Sequence, residues 1–238
     1  MNNNIIAMWF SQIFLENIEV ITAGAVSVLF AFLLWSVKES YKRHGAEMMA
    51  LKKVEIILAI NLGGNSINKS FFDEWQQALK ENRLYQCSFR DYVYFEREYF
   101  GIRNLQLVNK VLKLDFAYKG LATDLSKFFG SYQETSVKFL DSDHVQEWFN
   151  FNTNILEQSD RFKISFVQAE EDTKETVAFL RAYYQQKKRT PYGLMYAILG
   201  TDLFPKVSPE RVADEKKKLE EELEKKRKEA LETENVVV

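Results

Sequence analysis

Residues 20–37 read VITAGAVSVLFAFLLWSV, 18 positions with neither a charge nor a proline. At about 1.5 Å per helical residue they cover roughly 27 Å, close to the ~30 Å hydrocarbon core of a bilayer. A helix satisfies every backbone amide within itself, as lipid demands. The competing reading is a buried core helix, but core helices are amphipathic and their apolar runs are shorter. The run predicts one membrane-spanning helix, with Trp35 suited to headgroup level.

The chain on either side sets the direction. Before the run stand Glu16 and Glu19 but no Lys or Arg, so the positive n-region of a signal peptide is missing, and no small-x-small cleavage pattern follows. After it come Lys38, Lys42, Arg43, Lys52 and Lys53, diluted by Glu39, Glu47 and Glu55. The positive-inside rule then predicts the N-terminus outside and the chain beyond Val37 in the cytoplasm. Residues 1–19 read as an amphipathic segment. Ile5, Ile6, Trp9, Phe10, Ile13, Phe14 and Ile18 recur at helical spacing, which suits either an interfacial helix or one continuous with the span. The side chains expected to hold the bilayer are Trp9, Phe10, Phe14, Leu29, Phe30, Phe32, Leu33, Leu34 and Trp35.

Composition bounds the rest. Hydrophobic residues make up 46% and aromatic residues 14% of the 238 positions, enough for a sizeable core. The 32 basic and 34 acidic side chains leave no footprint for nucleic acid. Cys87 is the single cysteine, so there is no internal disulfide and no Cys/His set for zinc. Three prolines and nine glycines favour long helices over a sandwich or barrel. The expectation is an all-α chain: the span at 20–37, a cytoplasmic helical domain at 38–204, and a charged C-terminal helix and tail at 205–238.

Within that domain the span is expected to run on through Tyr41, Met48, Leu51, Val54, Leu58 and Leu62 to a turn at Asn61-Leu-Gly-Gly-Asn65. A shorter helix over 69–82 follows, with Phe71, Phe72, Trp75, Ala78 and Leu79 on one side. Residues 88–102 fit a helix with Phe89, Tyr92, Phe95, Tyr99 and Ile102 inward, although local alternation also suits a strand. Leu105, Val108, Leu112, Leu121, Leu125, Phe129 and Tyr132 mark a helix over 104–133. Val145, Trp148, Phe149, Ile155, Leu156, Phe162, Phe166, Val177, Leu180 and Tyr184 mark a second over 144–189, closed by Arg189-Thr190-Pro191. The intervening Glu134–Asp143 reads as a turn, making the pair an antiparallel hairpin. Residues 192–204 are apolar but too short to span, and read as core.

Ser208-Pro209 opens the last helix. It is mostly Glu and Lys, with i,i+4 pairs Asp214–Lys218, Glu221–Lys225, Glu222–Lys226 and Glu224–Lys228. Val212, Leu219, Leu223 and Ala230 form a thin seam interrupted by Lys216 and Lys226. A protruding, solvated single helix is expected in preference to a stable coiled coil.

The chemistry-bearing residues all have plainer readings. Asp141, Asp143 and His144 suggest a metal, but Asp143 with Gln146 makes a helix-capping box and no second ligand group has recognised spacing. His44 reads as an interfacial basic side chain rather than a pH sensor. Cys87 has no positioned base and reads as structural. Glu96 and Glu98 would lie about 200° apart on a helix and share no site. Arg90, Arg97 and Arg103 among tyrosines suggest base stacking, but Asp91, Glu96 and Glu98 cancel their charge. The 61–65 segment lacks the lysine of a phosphate-binding loop, and Asn235-Val-Val-Val238 reads as a frayed tail.

These readings imply no cofactor, metal, nucleic acid or evident small-molecule ligand. The expected partners are the bilayer and either a protein or a second copy, in a membrane-anchored interaction or scaffold protein without catalysis. One alternative is a membrane-disrupting or pore-forming effector, suggested by residues 5–18 and by Ala23, Gly24 and Ser27, whose small side chains let spans approach. The other is a membrane-tethered enzyme whose site is assembled from scattered residues.

Overall fold

Glu47, Leu51, Val54, Leu58, Asn61, Asn65, Asn68, Phe72, Trp75 and Leu79 recur at alternating steps of four and three, and all ten are buried. That spacing keeps one stripe of a helix facing one direction. In the computed structural model, which describes residues 18–81, 83, 85, 88–140, 145–188 and 207–234, this stripe belongs to a single helix, α1, Ile18–Lys80. The other helices among the described residues are α2 (Leu105–Leu140), α3 (Val145–Lys188) and α4 (Pro209–Glu234), with a 3-10 turn at Glu98–Gly101. The fold is an all-α bundle. The chain divides into two units, residues 47–188 with 205–238, and residues 1–46 with 189–204.

The turn expected at Asn61–Asn65 does not form. Gly63 and Gly64 lie away from the stripe, and a Cβ added at either would meet nothing within 4 Å. Each glycine costs the helix about 1 kcal/mol relative to alanine. Burying Phe72, Trp75 and Leu79 in the same register returns about 1.5–3 kcal/mol per side chain, so continuity wins.

The same alternation runs through α2 (Leu107, Val111, Leu114, Tyr118, Leu121, Leu125, Phe128, Tyr132) and α3 (Ser159, Phe162, Phe166, Ala169, Thr173, Thr176, Leu180, Tyr183, Lys187), all buried. The stripes meet in an aromatic core. Phe72 lies 6.4 Å from Phe129, 5.9 Å from Phe162 and 5.6 Å from Phe166, and Trp75 lies 4.8 Å from Phe129. The expected α2–α3 hairpin forms, but α2 runs on through the proposed turn to Leu140. Phe139, stacked near Trp148 at 5.8 Å and Phe151 at 5.4 Å, gives that last turn its packing.

Cross-helix pairs fix the directions. Glu55 meets Arg181, Asn65 meets the Phe166 carbonyl and Gln76 meets Ser159, so α1 and α3 are antiparallel. Lys110 meets Glu175 and Phe128 meets Phe162, so α2 and α3 are antiparallel too. Hence α1 and α2 run parallel. Lys216 on Glu171 and Arg181 on Glu222 make α4 parallel to α3. The order is up–up–down–down, which requires two long return connections.

The first return corrects the helix expected over 88–102. Residues 88–97 have no helix or strand assignment, yet Tyr92, Phe95 and Ile102 are buried and Phe89 and Tyr99 pack on the core, so the inward set was legible although the conformation was not. Its backbone is held by side chains of α1. The Val93 N–H donates to Asn61 Oδ1 while Asn61 Nδ2 donates to the Val93 carbonyl, both at 2.7 Å. Asn68 does the same for Arg90 at 2.7 and 2.9 Å. Seven helical residues advance about 10.5 Å and three extended ones about 10 Å, so the two clamps keep register along an antiparallel strap. Asn65, between them, accepts from the Tyr92 hydroxyl at 3.0 Å and donates to the Phe166 carbonyl at 2.9 Å.

The protruding C-terminal helix is corrected as well. Leu219 is buried, Val212 and Leu223 pack on the core, and Glu222 turns to Arg181 instead of Lys226. Lys218 pairs with Glu215 and Lys225 with Glu229, rather than with the partners four residues before them. Ser208 caps the helix as expected, its Oγ accepting from the Arg211 N–H at 3.3 Å. Residues 189–206, including the apolar 192–204 stretch, lie outside the described residues.

Two outcomes follow. Gly63→Ala and Gly64→Ala are each expected to stabilise the chain by about 1 kcal/mol, raising the thermal midpoint by about 2–4 °C; a fall would restore the turn. Asn68→Ala is expected to cost about 2 kcal/mol and to unprotect the Arg90 amide in hydrogen exchange while sparing that of Val93. Asn61→Ala should do the reverse, and equal exchange at both positions would mean the clamps are not separate.

Candidate functional site

Leucine, valine, phenylalanine and tryptophan dominate α1 from Val20 to Val37, and a helix apolar on all sides finds cover only in a protein interior or in lipid. Here it has no interior cover. Val20, Val26, Val28, Leu29, Phe30, Phe32, Leu33, Leu34 and Trp35 are all exposed, the least of them, Leu33, at 56%. Leaving such side chains in water forgoes about 1.5–3 kcal/mol each, which over nine residues exceeds the usual stability of a domain. By length and composition α1 is able to cross a membrane, and its most apolar stretch has no buried residue. A soluble protein's core helix would bury that stretch. The Ser27 hydroxyl along it donates to the Ala23 carbonyl at 2.7 Å. Phe32 and Trp35 touch, with ring centroids 6.0 Å apart.

Six of the nine anchoring residues expected from sequence, Leu29, Phe30, Phe32, Leu33, Leu34 and Trp35, therefore share this uncovered surface. Trp9, Phe10 and Phe14 lie outside the described residues, as do Cys87, Asp141, Asp143 and His144. His44 is half-buried on α1. Glu96 is exposed, whereas Glu98 turns back on its own loop and accepts from the Glu96 N–H at 2.9 Å and the Arg97 N–H at 3.1 Å. Its own backbone N–H, with those of Glu96 and Arg97, holds the Glu98 carboxyl below the usual carboxylate range, so it serves the turn and does not pair with Glu96. Arg90 and Arg97 are exposed, and Tyr94 lies under Lys119 at 5.3 Å. Among the described residues no three His, Cys, Asp or Glu side chains gather as metal ligands do. A cleft of about 190 Å³ between Leu79, Lys80, Phe149, Asn152, Thr153 and Leu156 is small beside ordinary ligand pockets.

The polar residues that matter most to the bundle escaped sequence reading. Glu47, read from sequence as a surface charge diluting a basic cluster, is 1% exposed and so is Lys187; the two pair at 2.9 Å. The other Glu47 oxygen accepts from the Arg103 N–H at 3.0 Å and the Tyr183 hydroxyl at 2.9 Å. One carboxylate thus ties α1 to the end of α3 and to the start of α2. Asp115 does similar work in α2, accepting from the Phe95 N–H at 3.0 Å and from Lys119 at 2.5 Å. A signal was available. Glu47 precedes Leu51 by four and Lys187 follows Tyr183 by four, both on the core stripe.

Breaking a buried pair strands the remaining charge. Lys187→Met and Glu47→Gln are each expected to cost about 3–5 kcal/mol in denaturant melts, and the double variant less than their sum. Strict additivity would mean the pair carries no coupling.

Comparison of the chain with protein-family models, with curated proteins and with solved structures gives no match.

Proposed function

We propose that this chain is a membrane-anchored helical interaction protein, held by one span over residues 20–37 and presenting its bundle as a non-catalytic docking scaffold on the cytoplasmic side. The observation that carries the reading is the apolar portion of α1, uncovered on every side, on a chain whose other helices close their own core. The direction rests on Lys38, Lys42 and Arg43 directly after the run, with none before it; Glu39 pairs with Arg43 at 3.3 Å and so offsets part of that charge. Support for a non-catalytic role comes from how the buried polar groups are used. Glu47, Asn61, Asn65, Asn68 and Asp115 are all committed to backbone or to neighbouring side chains that hold the fold. The partner is a protein or a second copy, bound through helical faces.

In flotation with liposomes after an alkaline wash, the full-length chain is expected to stay with the lipid. Leu29→Asp with Leu33→Asp should release it, since each aspartate at a helix centre costs about 2.5–3.5 kcal/mol of insertion. A wild-type product that remains monodisperse in water without detergent would end the anchored reading. Protease added outside sealed vesicles tests the direction, and mild-detergent capture with intact-mass measurement tests the partner. Dye leakage from loaded liposomes would move the function to a membrane-disrupting effector.

A further inference from the structure

Resting on that anchored reading, we infer that the end of the bundle nearest the span docks on the anionic headgroup layer of the same membrane. Glu47 follows Val37 by only ten residues, so the chain itself tethers the end of the bundle built around Glu47 within reach of the bilayer.

Three strands of chemistry meet at that end. The Glu98–Gly101 turn and the first residue of α2 leave Phe100 71% and Leu105 76% exposed, beside the Arg103 amide that binds Glu47. On α1, Lys52 and Lys53 are exposed at the same level, and Lys53 lies close enough to Glu98 to lower its carboxyl. The third comes from α4. Arg181 bridges Glu55 of α1 at 2.7 Å and Glu222 of α4 at 2.9 Å, which sets the two helices level. Because α4 runs parallel to α3, the exposed run Lys225-Lys-Arg-Lys228 lies about 5–9 Å further toward the Lys187–Glu47 end.

The acidic groups nearby offset this only in part. Glu47 is neutralised by Lys187, Glu98 is spent on its own turn, and Glu229 faces Lys225 at 3.8 Å; Glu96 and Glu224 remain exposed. Exposed apolar side chains at the same end of the bundle as these cations, beside a membrane whose cytoplasmic leaflet is anionic, fit insertion of Phe100 and Leu105 among headgroups with the basic side chains on phosphates and carboxylates. At the opposite end the exposed apolar Val137 of α2 is flanked in sequence by Glu134 and Lys138, charges of both signs.

The test uses the full chain carrying Cys87→Ser, with one new cysteine at a time (Leu29→Cys, Phe100→Cys, Leu105→Cys or Val137→Cys) bearing an environment-sensitive dye. It is reconstituted in phosphatidylcholine vesicles with or without phosphatidylserine, and a nitroxide lipid is the quencher. The dyes at 100 and 105 are expected to lose fluorescence to the nitroxide in serine-lipid vesicles as the dye at 29 does, to keep most of it in choline lipid alone, and the dye at 137 to keep it in both. Replacing Lys225, Lys226, Arg227 and Lys228 by glutamine should abolish quenching at 100 and 105. Quenching at 29 without quenching at 100 or 105 overturns the docking and leaves the span intact. A blue shift at 100 and 105 that the nitroxide does not quench assigns the surface to a second copy or a protein and also overturns it. Absence of quenching at 29 removes the span, and the docking with it.

Discussion

An extended chain laid against a helix finds no ladder there, because the helix has already spent its own amides and carbonyls. The return from α1 to α2 faces this problem, since two consecutive parallel helices require the chain to travel back along the first. The asparagines at 61 and 68 solve it by lending a side-chain amide, which carries a donor and an acceptor like a peptide group, to one strap residue each. The near-equal advance of seven helical and three extended residues is what lets both clamps close on an unstrained strap. Tyr92 and Phe95 then fill the core from the strap, and Asp115 receives the next free amide. Without this arrangement α2 would have no covered route to its parallel position.

How far this was legible in the sequence follows from the type of signal. Apolar periodicity gave the α2–α3 hairpin and the all-α class, since Leu, Val and aromatic residues at steps of three and four have few other uses. It also gave the inward side chains of 88–102, because Phe89, Tyr92, Phe95 and Ile102 are the apolar members whichever conformation carries them. The conformation itself depends on partners far along the chain, Asn61 and Asn68, which local pattern cannot contain. Gly63 and Gly64 misled for the opposite reason. They are local breakers, outvoted by burial of Phe72, Trp75 and Leu79 in a register that continues past them.

Buried polar residues were hardest to read, since one letter does not reveal whether a charge has found its partner. Glu47 and Lys187 are 140 positions apart and meet because α1 and α3 run antiparallel. Lys216 and Glu222 were read as members of a solvated helix, but Glu171 and Arg181 of α3 lie beside them, and Leu219 sinks between. The charges of α4 thus do two jobs along its length: Lys216 and Glu222 dock the helix, and the run from Lys225 to Lys228 stays in solvent.

The uncovered apolar stretch is the one feature that the bundle's own packing leaves unexplained. Within the bundle, large apolar side chains on the stripes are buried, and Glu47, Asn61, Asn65, Asn68 and Lys187 on them are bonded. Between Val20 and Val37 the described large apolar side chains from Val20 to Trp35 are exposed instead, which is what a change of solvent would produce. In lipid, an all-round apolar helix whose Ser27 hydroxyl is bonded to its own backbone is at home. In water the same helix would forgo free energy comparable to the whole stability of an ordinary domain. The N-terminal run of α1 is long and apolar enough to cross a membrane, and the point where Glu47 goes inward marks where cover by protein begins.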